Sequence, residues 1–136
     1  TLPPIFAAAT VAIGSYNPVI RSFELAGGNT VAGRGDGRGT SGHAGFRITR
    51  RKPSFTPPVN SADITDYNPS GDWAAATQRT LDFTIGATQY NKYAIDADDM
   101  RVVDFAEEDD EGLTIVQPTY RIFTPSSGNE LRITFD

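Results

Sequence analysis

Residues 113–136 read LTIVQPTYRIFTPSSGNELRITFD, and their pattern sets the class of fold. In the closing run Leu131, Ile133 and Phe135 alternate with Arg132 and Thr134. That period of two turns one face of a strand to a core and the other to water. Thr119 to Phe123 alternates in the same way, Tyr120 and Ile122 pointing opposite to Arg121 and Phe123. Between the runs, Pro125, Ser126, Ser127, Gly128 and Asn129 are turn formers. The stretch is predicted to be two antiparallel strands closing a β domain at its C-terminal edge, the last packed into the core. It follows an acidic run, Asp104 to Glu111 (DFAEEDDE), that turns at Gly112.

The same periodicity recurs upstream. Leu81, Phe83 and Ile85 alternate with Asp82 and Thr84, and Gln89 to Ile95 supplies a partner strand across a hairpin at Gly86-Ala87-Thr88. Met100 to Phe105 is a further strand, expected to end where the acids begin. Thr10 to Ile13 and Val19 to Leu25 are short strands after an apolar, proline-bearing lead-in (Pro3 to Ala9). In Ala44 to Arg50, Phe46 and Ile48 are expected to point inward, Arg47, Thr49 and Arg51 outward. Pro53, Pro57 and Pro58 end that strand around an anchoring Phe55. Ser70 to Gln78 is the one short helix, capped by Ser70 or Asp72 and anchored by a buried Trp73. Gly33 to Gly42 (GRGDGRGTSG) is half glycine and reads as a long flexible loop, because glycine loses the most entropy on ordering. The expected fold is mainly β, a single domain over 1–136: an antiparallel β-sandwich or barrel-like pair of sheets with one short helix and a flexible loop at 33–42.

The chain has 136 residues, enough for one domain that buries about two-thirds of its unfolded surface. It begins at Thr1, which fits removal of an initiator Met or a processed piece. No apolar run is long enough to span a bilayer as a helix. The absence of cysteine excludes disulfides, thiolate metal sites and cysteine nucleophiles. A net charge of -5 argues against general nucleic-acid binding. The charge is segregated. Residues 34–52 hold six of the twelve Lys and Arg (Arg34, Arg38, Arg47, Arg50, Arg51, Lys52) beside one acid, Asp36. Residues 96–112 hold nine of the seventeen acids beside one Arg; they include Asp104, Glu107, Glu108, Asp109, Asp110 and Glu111. Two such blocks are either solvated loops or complementary patches. The second option predicts a head-to-tail contact between identical subunits, which makes a ring when the rotation closes.

Catalytic and metal chemistry find little footing. His43 is the only histidine, and no Gly-X-Ser-X-Gly elbow accompanies it. Asp96, Asp98, Asp99, Glu107, Asp109 and Asp110 offer carboxylates for calcium, but the EF-hand order is missing. Arg34-Gly35-Asp36 is a three-residue match of the kind that chance supplies. The Arg-Gly repeats lack the interleaved aromatics of a nucleic-acid tail. No cofactor, metal or catalytic group is expected.

Several landmarks come in a telling order. They are Val19 to Leu25 followed by Gly-Gly-Asn, the His43-Ala-Gly-Phe-Arg-Ile-Thr-Arg strand with its Arg-Lys-Pro exit, and the Asp72-Trp73 helix. Leu-Asp-Phe-Thr-Ile-Gly, a strand with Asn91, the turn at Glu111-Gly112 and the closing Gly-Asn-Glu-Leu-Arg-Ile-Thr-Phe follow. The series resembles the C-terminal part of tail tube (major tail) proteins of long-tailed bacteriophages. Such proteins are often longer, which makes this chain a fragment or a minimal version, and Asn91-Lys92-Tyr93 matches the family's strand only in part. The resemblance implies a virion structural protein, assembled in the host cytoplasm. It would form stacked, usually hexameric, homo-oligomeric rings that meet other tail proteins and pass phage DNA without binding it or any membrane. In that setting Arg34, Arg38, Arg47, Arg50, Arg51 and Lys52 form the basic side of a subunit contact. Asp104 and Glu107 to Glu111 form its acidic side or line the lumen. The alternative reading is a β-sandwich binding module for a carbohydrate or a capsid surface. Its platform would come from Trp73, Tyr16, Tyr67, Tyr90 and Tyr93.

Overall fold

A computed structural model describes residues 9–60, 65–86, 90–126 and 128–136. The predicted lead-in before Ala9, most of the turn at Gly86-Ala87-Thr88 and Ser127 lie outside them. The described residues form ten strands and one helix: β1 (Thr10–Ile13), β2 (Glu24–Ala26), β3 (Thr30–Gly35), β4 (His43–Arg50), β5 (Ser54–Thr56), β6 (Val59–Asn60), α1 (Pro69–Ala75), β7 (Arg79–Ile85), β8 (Tyr93–Asp110), β9 (Leu113–Ile122) and β10 (Arg132–Phe135). The mainly β, antiparallel, sandwich-like class expected from the sequence is the class observed.

Eight strands make one sheet in the order β1-β7-β8-β9-β5-β2, with β10 on β8 and β6 on β9; β3 and β4 pair only with each other. The main sheet is built on β8, 18 residues long. Leu81, Phe83 and Ile85 alternate between buried and wetter neighbours along β7, as their spacing predicts. They meet Val11, Ile13, Ile95, Ala97, Met100 and Val102 in the core. Phe55 and Tyr120, from the far side of the sheet, complete the same cluster. In a flat sheet β5 and β7 would lie about 14 Å apart, three strand spacings. The Phe55 and Phe83 rings are nevertheless 6.4 Å apart, and Phe23 closes on Phe83 at 4.5 Å. The sheet therefore curls over itself, two-layered though continuous, with bulges at Arg79/Leu81 and Val102/Asp104 where it bends.

Several expectations need correction. The closing strands do not pair with each other. β9 runs along β8 from Met100 to Asp110, and β10 takes the same side of β8 from Tyr93 to Asp96. They are two pieces of one row, interrupted by the excursion 123–131. β10 is a true strand but a wet one: Ile133 and Phe135 are exposed. Period two reports backbone pairing, and burial needs a second layer as well. The acids do not end a strand either. Asp104 to Asp110 continue β8, held in register by β9, whose Val116 and Pro118 are buried. The strands reverse over Glu111-Gly112, where both residues have positive φ (52° and 87°), the geometry of a type I′ turn.

Val19 to Leu25 is mostly irregular: Ile20 makes a lone bridge to Val59 and strand begins only at Glu24. Gln89 to Ile95 enters strand at Tyr93. The helix starts one residue earlier than expected, at Pro69. Its cap is Asn68, whose Oδ1 accepts from Gly71 N at 2.8 Å. Trp73 is exposed and packs edge-on to Phe105, while Asp72 is the buried residue of the helix. The "flexible loop" at 33–42 is also revised. Gly33 to Gly35 belong to β3, and Asp36 to Gly42 form a turn closed by Asp36 N to Gly42 O at 3.0 Å and Gly39 N to Asp36 O at 3.2 Å. Glycines at a ribbon with no layer above it cost no packing, and the ladder orders them. Likewise Phe46 and Ile48 do not point inward, since every residue of β4 is exposed.

Candidate assembly surfaces

The basic block is a free-standing ribbon. In the β3–β4 hairpin Thr30 faces Arg50, Val31 faces Ile48, Ala32 faces Arg47 and Gly33 faces Phe46. Directly paired residues project to the same face. Val31, Ile48 and Phe46 thus share one face, with the Phe46 ring within 3.7 Å of where a Gly33 Cβ would stand. Arg34, Arg47 and Arg50 share the other. Phe46 is 82% exposed, and Val31 and Ile48 beside it are exposed as well, so the described residues leave much of the apolar face open. At the base, Gly28 (φ +54°) brings the backbone so close to Lys52 that an added Cβ would stand 2.3 Å from the Lys52 carbonyl oxygen. Only glycine fits there.

The acidic block is the distal half of the β8–β9 hairpin. Its carboxylates occupy successive positions and so project from both faces of the arm. Glu108 accepts from Gln117 Nε2 at 2.9 Å, and Asp109 accepts from Gly112 N at 2.8 Å, which secures the turn. Asp110 is paired with Arg21. Among the described residues Asp104, Glu107 and Glu111 make no ion pair.

Of the six basic residues, Arg51 is already engaged within the chain, 3.3 Å from Glu130. Arg34, Arg38, Arg47, Arg50 and Lys52 make no ion pair with another described residue. No ion pair among the described residues joins the basic ribbon to the acidic arm. Calcium-type clustering is not assembled: Asp96 binds Arg132 at 3.2 Å and Asp99 binds Arg101 at 3.2 Å. Among the described residues no group of three or more His, Asp or Glu is placed to hold a metal ion. No described helix is long and apolar enough to cross a membrane. His43 stands exposed at the ribbon's start.

Of the aromatic residues considered for a binding platform, Tyr90 is 84% exposed and Trp73 is exposed beside Phe105, while the other three have ring or hydroxyl partners. Tyr16 stacks on Tyr67 at 4.7 Å, and Tyr93 meets Phe135 at 5.9 Å. Tyr67 donates to or accepts from the Tyr120 hydroxyl in the interior. Burial pushes Tyr67 up to about 12, against a lowering effect from its bond to Tyr120. Burial, then charge repulsion from the ionised form of the neighbouring Tyr67 hydroxyl, raises Tyr120 further. Asp72 and Arg79 lie next to this pair, joined by two bonds of 2.7 and 2.8 Å. That bond raises Arg79 above its ordinary value. Sequence reasoning missed this network because its members come from three separate elements and, for Tyr67, the loop before α1. Asp72 lies in α1 and Arg79 in β7, so no one period relates them.

Solved structures of similar shape are whole-chain matches. A chain of the sheath/tube terminator of an extracellular contractile injection system, PVC, in its extended state superposes with TM-score 0.70 at 9% identity, covering 98% of this chain and 98% of that one. A chain of the anti-feeding prophage cap, the tube-terminating cap, gives TM-score 0.64 at 11% identity over 100% of this chain and 93% of that one. A chain of the virion of a native gene transfer agent particle gives 0.59 at 9% identity, over 96% and 98%. At such identities the fold is what is shared. No protein-family model and no curated protein sequence matches the chain.

Proposed function

We propose that this chain is a structural subunit of the tail or tube of a phage-like particle or contractile injection system, and that its work is self-assembly rather than catalysis. The observation that carries the reading is the end-to-end similarity of fold to chains of three such particles. The charge layout supports it. A protein that neutralised its own patches would have little left for a neighbour; here the ribbon's arginines and the arm's carboxylates remain unpaired with each other. In the proposed assembly copies associate head to tail into rings, hexameric as the tail-tube resemblance implies, and the rings stack. The basic ribbon of one copy meets the acidic arm of the next. The acid left over, in a chain of net charge -5, faces a conduit through which DNA slides without being held, because like charges repel its backbone.

Negative-stain electron microscopy and sedimentation of the concentrated full chain test this. Rings or tubes are expected, and the Arg50→Glu/Arg51→Glu variant should stay dispersed. A wild-type chain that remains monomeric alone and inside its native particle refutes the reading, and normal tubes from the charge-reversed variant refute the pairing.

A further inference from the structure

The ribbon's arginine face exists because of one extra residue. Between the pairs Thr30/Arg50 and Val31/Ile48, β3 advances by one residue and β4 by two, leaving Thr49 as a bulge. Its hydroxyl donates to Thr30 O at 3.2 Å, which fixes the bulge in place. Arg47 and Arg50 are three apart, and strict alternation would put them on opposite faces. The bulge resets the count. Thr30 and Ala32 lie on one face of β3, so their partners Arg50 and Arg47 lie on it too; a second shift between Gly33 and Gly35 puts its extra residue in β4, so β3 keeps its alternation and Arg34, two beyond Ala32, joins the set. Without the bulge Arg50 would stand among Val31, Phe46 and Ile48.

We infer that the Thr49 bulge is the specificity device of self-association: it gathers Arg34, Arg47 and Arg50 into one cationic face that docks on the acidic arm of a second copy. The inference rests on the tail-subunit reading and narrows its contact. Arg51 is left out, because Glu130 holds it within the chain, and Asp110 is left out, because Arg21 holds it. Glu107, which makes no ion pair among the described residues, is the central acceptor; Glu108 projects to the other face of the arm and is held by Gln117. The occupant is a second copy because its charge is the complement, and the two patches lie on different parts of one chain. Such a contact is heterologous and propagates to a ring or a stack.

The test uses the full chain, with the concentration for half-assembly read by sedimentation at about 0.1 M and about 1 M salt, where the Debye length falls from about 10 Å to about 3 Å. One exposed ion pair is worth up to about fivefold in an equilibrium constant. Arg50→Gln should raise the half-assembly concentration about fivefold at low salt and hardly at high salt. Arg51→Gln, with the same change in net charge, should leave it within twofold. Deleting Thr49 keeps every charge yet should act at least as strongly as Arg50→Gln. Should the deletion disturb folding, seen by circular dichroism, the exchange Arg50→Glu with Glu107→Arg decides in its place and should restore assembly that Arg50→Glu alone abolishes. The inference is overturned if the deletion assembles like wild type, if Arg51→Gln weakens assembly as much as Arg50→Gln, or if the exchange fails to rescue. A wild-type chain that never assembles overturns the tail reading together with this one. Assembly indifferent to Thr49 and Arg50 overturns this one alone.

Discussion

The ion pair under α1 should be lopsided, and the direction of the asymmetry follows from burial. Asp72 and Arg79 share two short, parallel bonds, yet their surroundings differ: the side chains are 7% and 32% exposed, respectively. Replacing Arg79 by Met keeps an aliphatic stem near Gly14, which Arg79 Cδ approaches to within 3.4 Å of a would-be Cβ. It leaves the Asp72 carboxylate nearly enclosed without its cation. Removing one partner of a buried pair costs about 3–5 kcal/mol, so Arg79→Met should cost about 4 kcal/mol. Asp72→Ala is milder. The guanidinium left behind is one-third exposed and can turn to water, so the loss is that of the two bonds partly repaid by hydration, about 2 kcal/mol.

The assay is urea unfolding of both variants and of Asp72→Leu/Arg79→Met. With a slope of about 1.5 kcal/mol per molar, the Arg79→Met midpoint should fall by roughly 2–3 M and the Asp72→Ala midpoint by roughly 1–1.5 M. The double variant, which buries no lone charge, should recover at least about 2 kcal/mol relative to the sum of the singles. Equal costs for the two single variants, a larger cost for Asp72→Ala, or a strictly additive double variant would show that the pair is not desolvated as its exposure indicates.

Three further outcomes are expected. Tyr67 and Tyr120 keep their protons longer folded than unfolded, so their contribution is complete below pH 10 and is lost as pH rises toward 12 and beyond. Stability should fall there by up to about 1.4 kcal/mol per pH unit for each of the two, with the late tyrosine absorbance change coinciding with loss of structure; flat stability to pH 12 would contradict it. Phe83→Ala, at a ring with no exposure that touches Phe23 and Phe55, should cost about 3–5 kcal/mol in thermal or chemical unfolding. Phe46→Ser should lower monomer stability by less than about 0.5 kcal/mol, as for a surface site, while weakening assembly measured by sedimentation.

Much of the fold was legible because β7 and the first half of β8 bury alternate residues against a second layer, and Leu81, Phe83 and Ile85 announce that directly. The failures have a common cause. Periodicity reports that a backbone is extended, but not what lies over it. Ile133 and Phe135 keep time perfectly and remain exposed all the same. Glu107 to Asp110 carry no strand signal of their own and are strand all the same, since Val116 and Pro118 of β9 supply the buried half of the ladder. Gly33 to Gly35 read as loop because single-residue propensity weighs glycine against a packed strand, whereas every residue of β3 and β4 is exposed. Trp73 was the natural anchor for α1 by hydrophobicity. The helix instead turned Asp72 inward, because Arg79 of β7 waits there with two donors, a partner invisible to any window along the chain.

The candidate contact depends on the one thing that alternation cannot forecast, a change of phase. A bulge adds a residue without adding a pair, so every side chain beyond it exchanges faces relative to the count made from sequence. Among the described residues such shifts fall at Thr49, beside the arginines, again in β4 across from Arg34, between the pairs of Arg79 and Leu81, and at Val103, just before the acidic run. The side on which the charges stand is therefore set by backbone pairing and not by their spacing. Counting by twos from Phe46 sends Arg50 to the apolar side of the ribbon; counting through the bulge gathers it with Arg34 and Arg47. The sequence displays how many charges there are, whereas the ladder decides whether they act as a single surface. A contact built this way is sensitive to an insertion or deletion of one neutral residue in β4, and comparatively tolerant of an exchange of Arg for Lys within it.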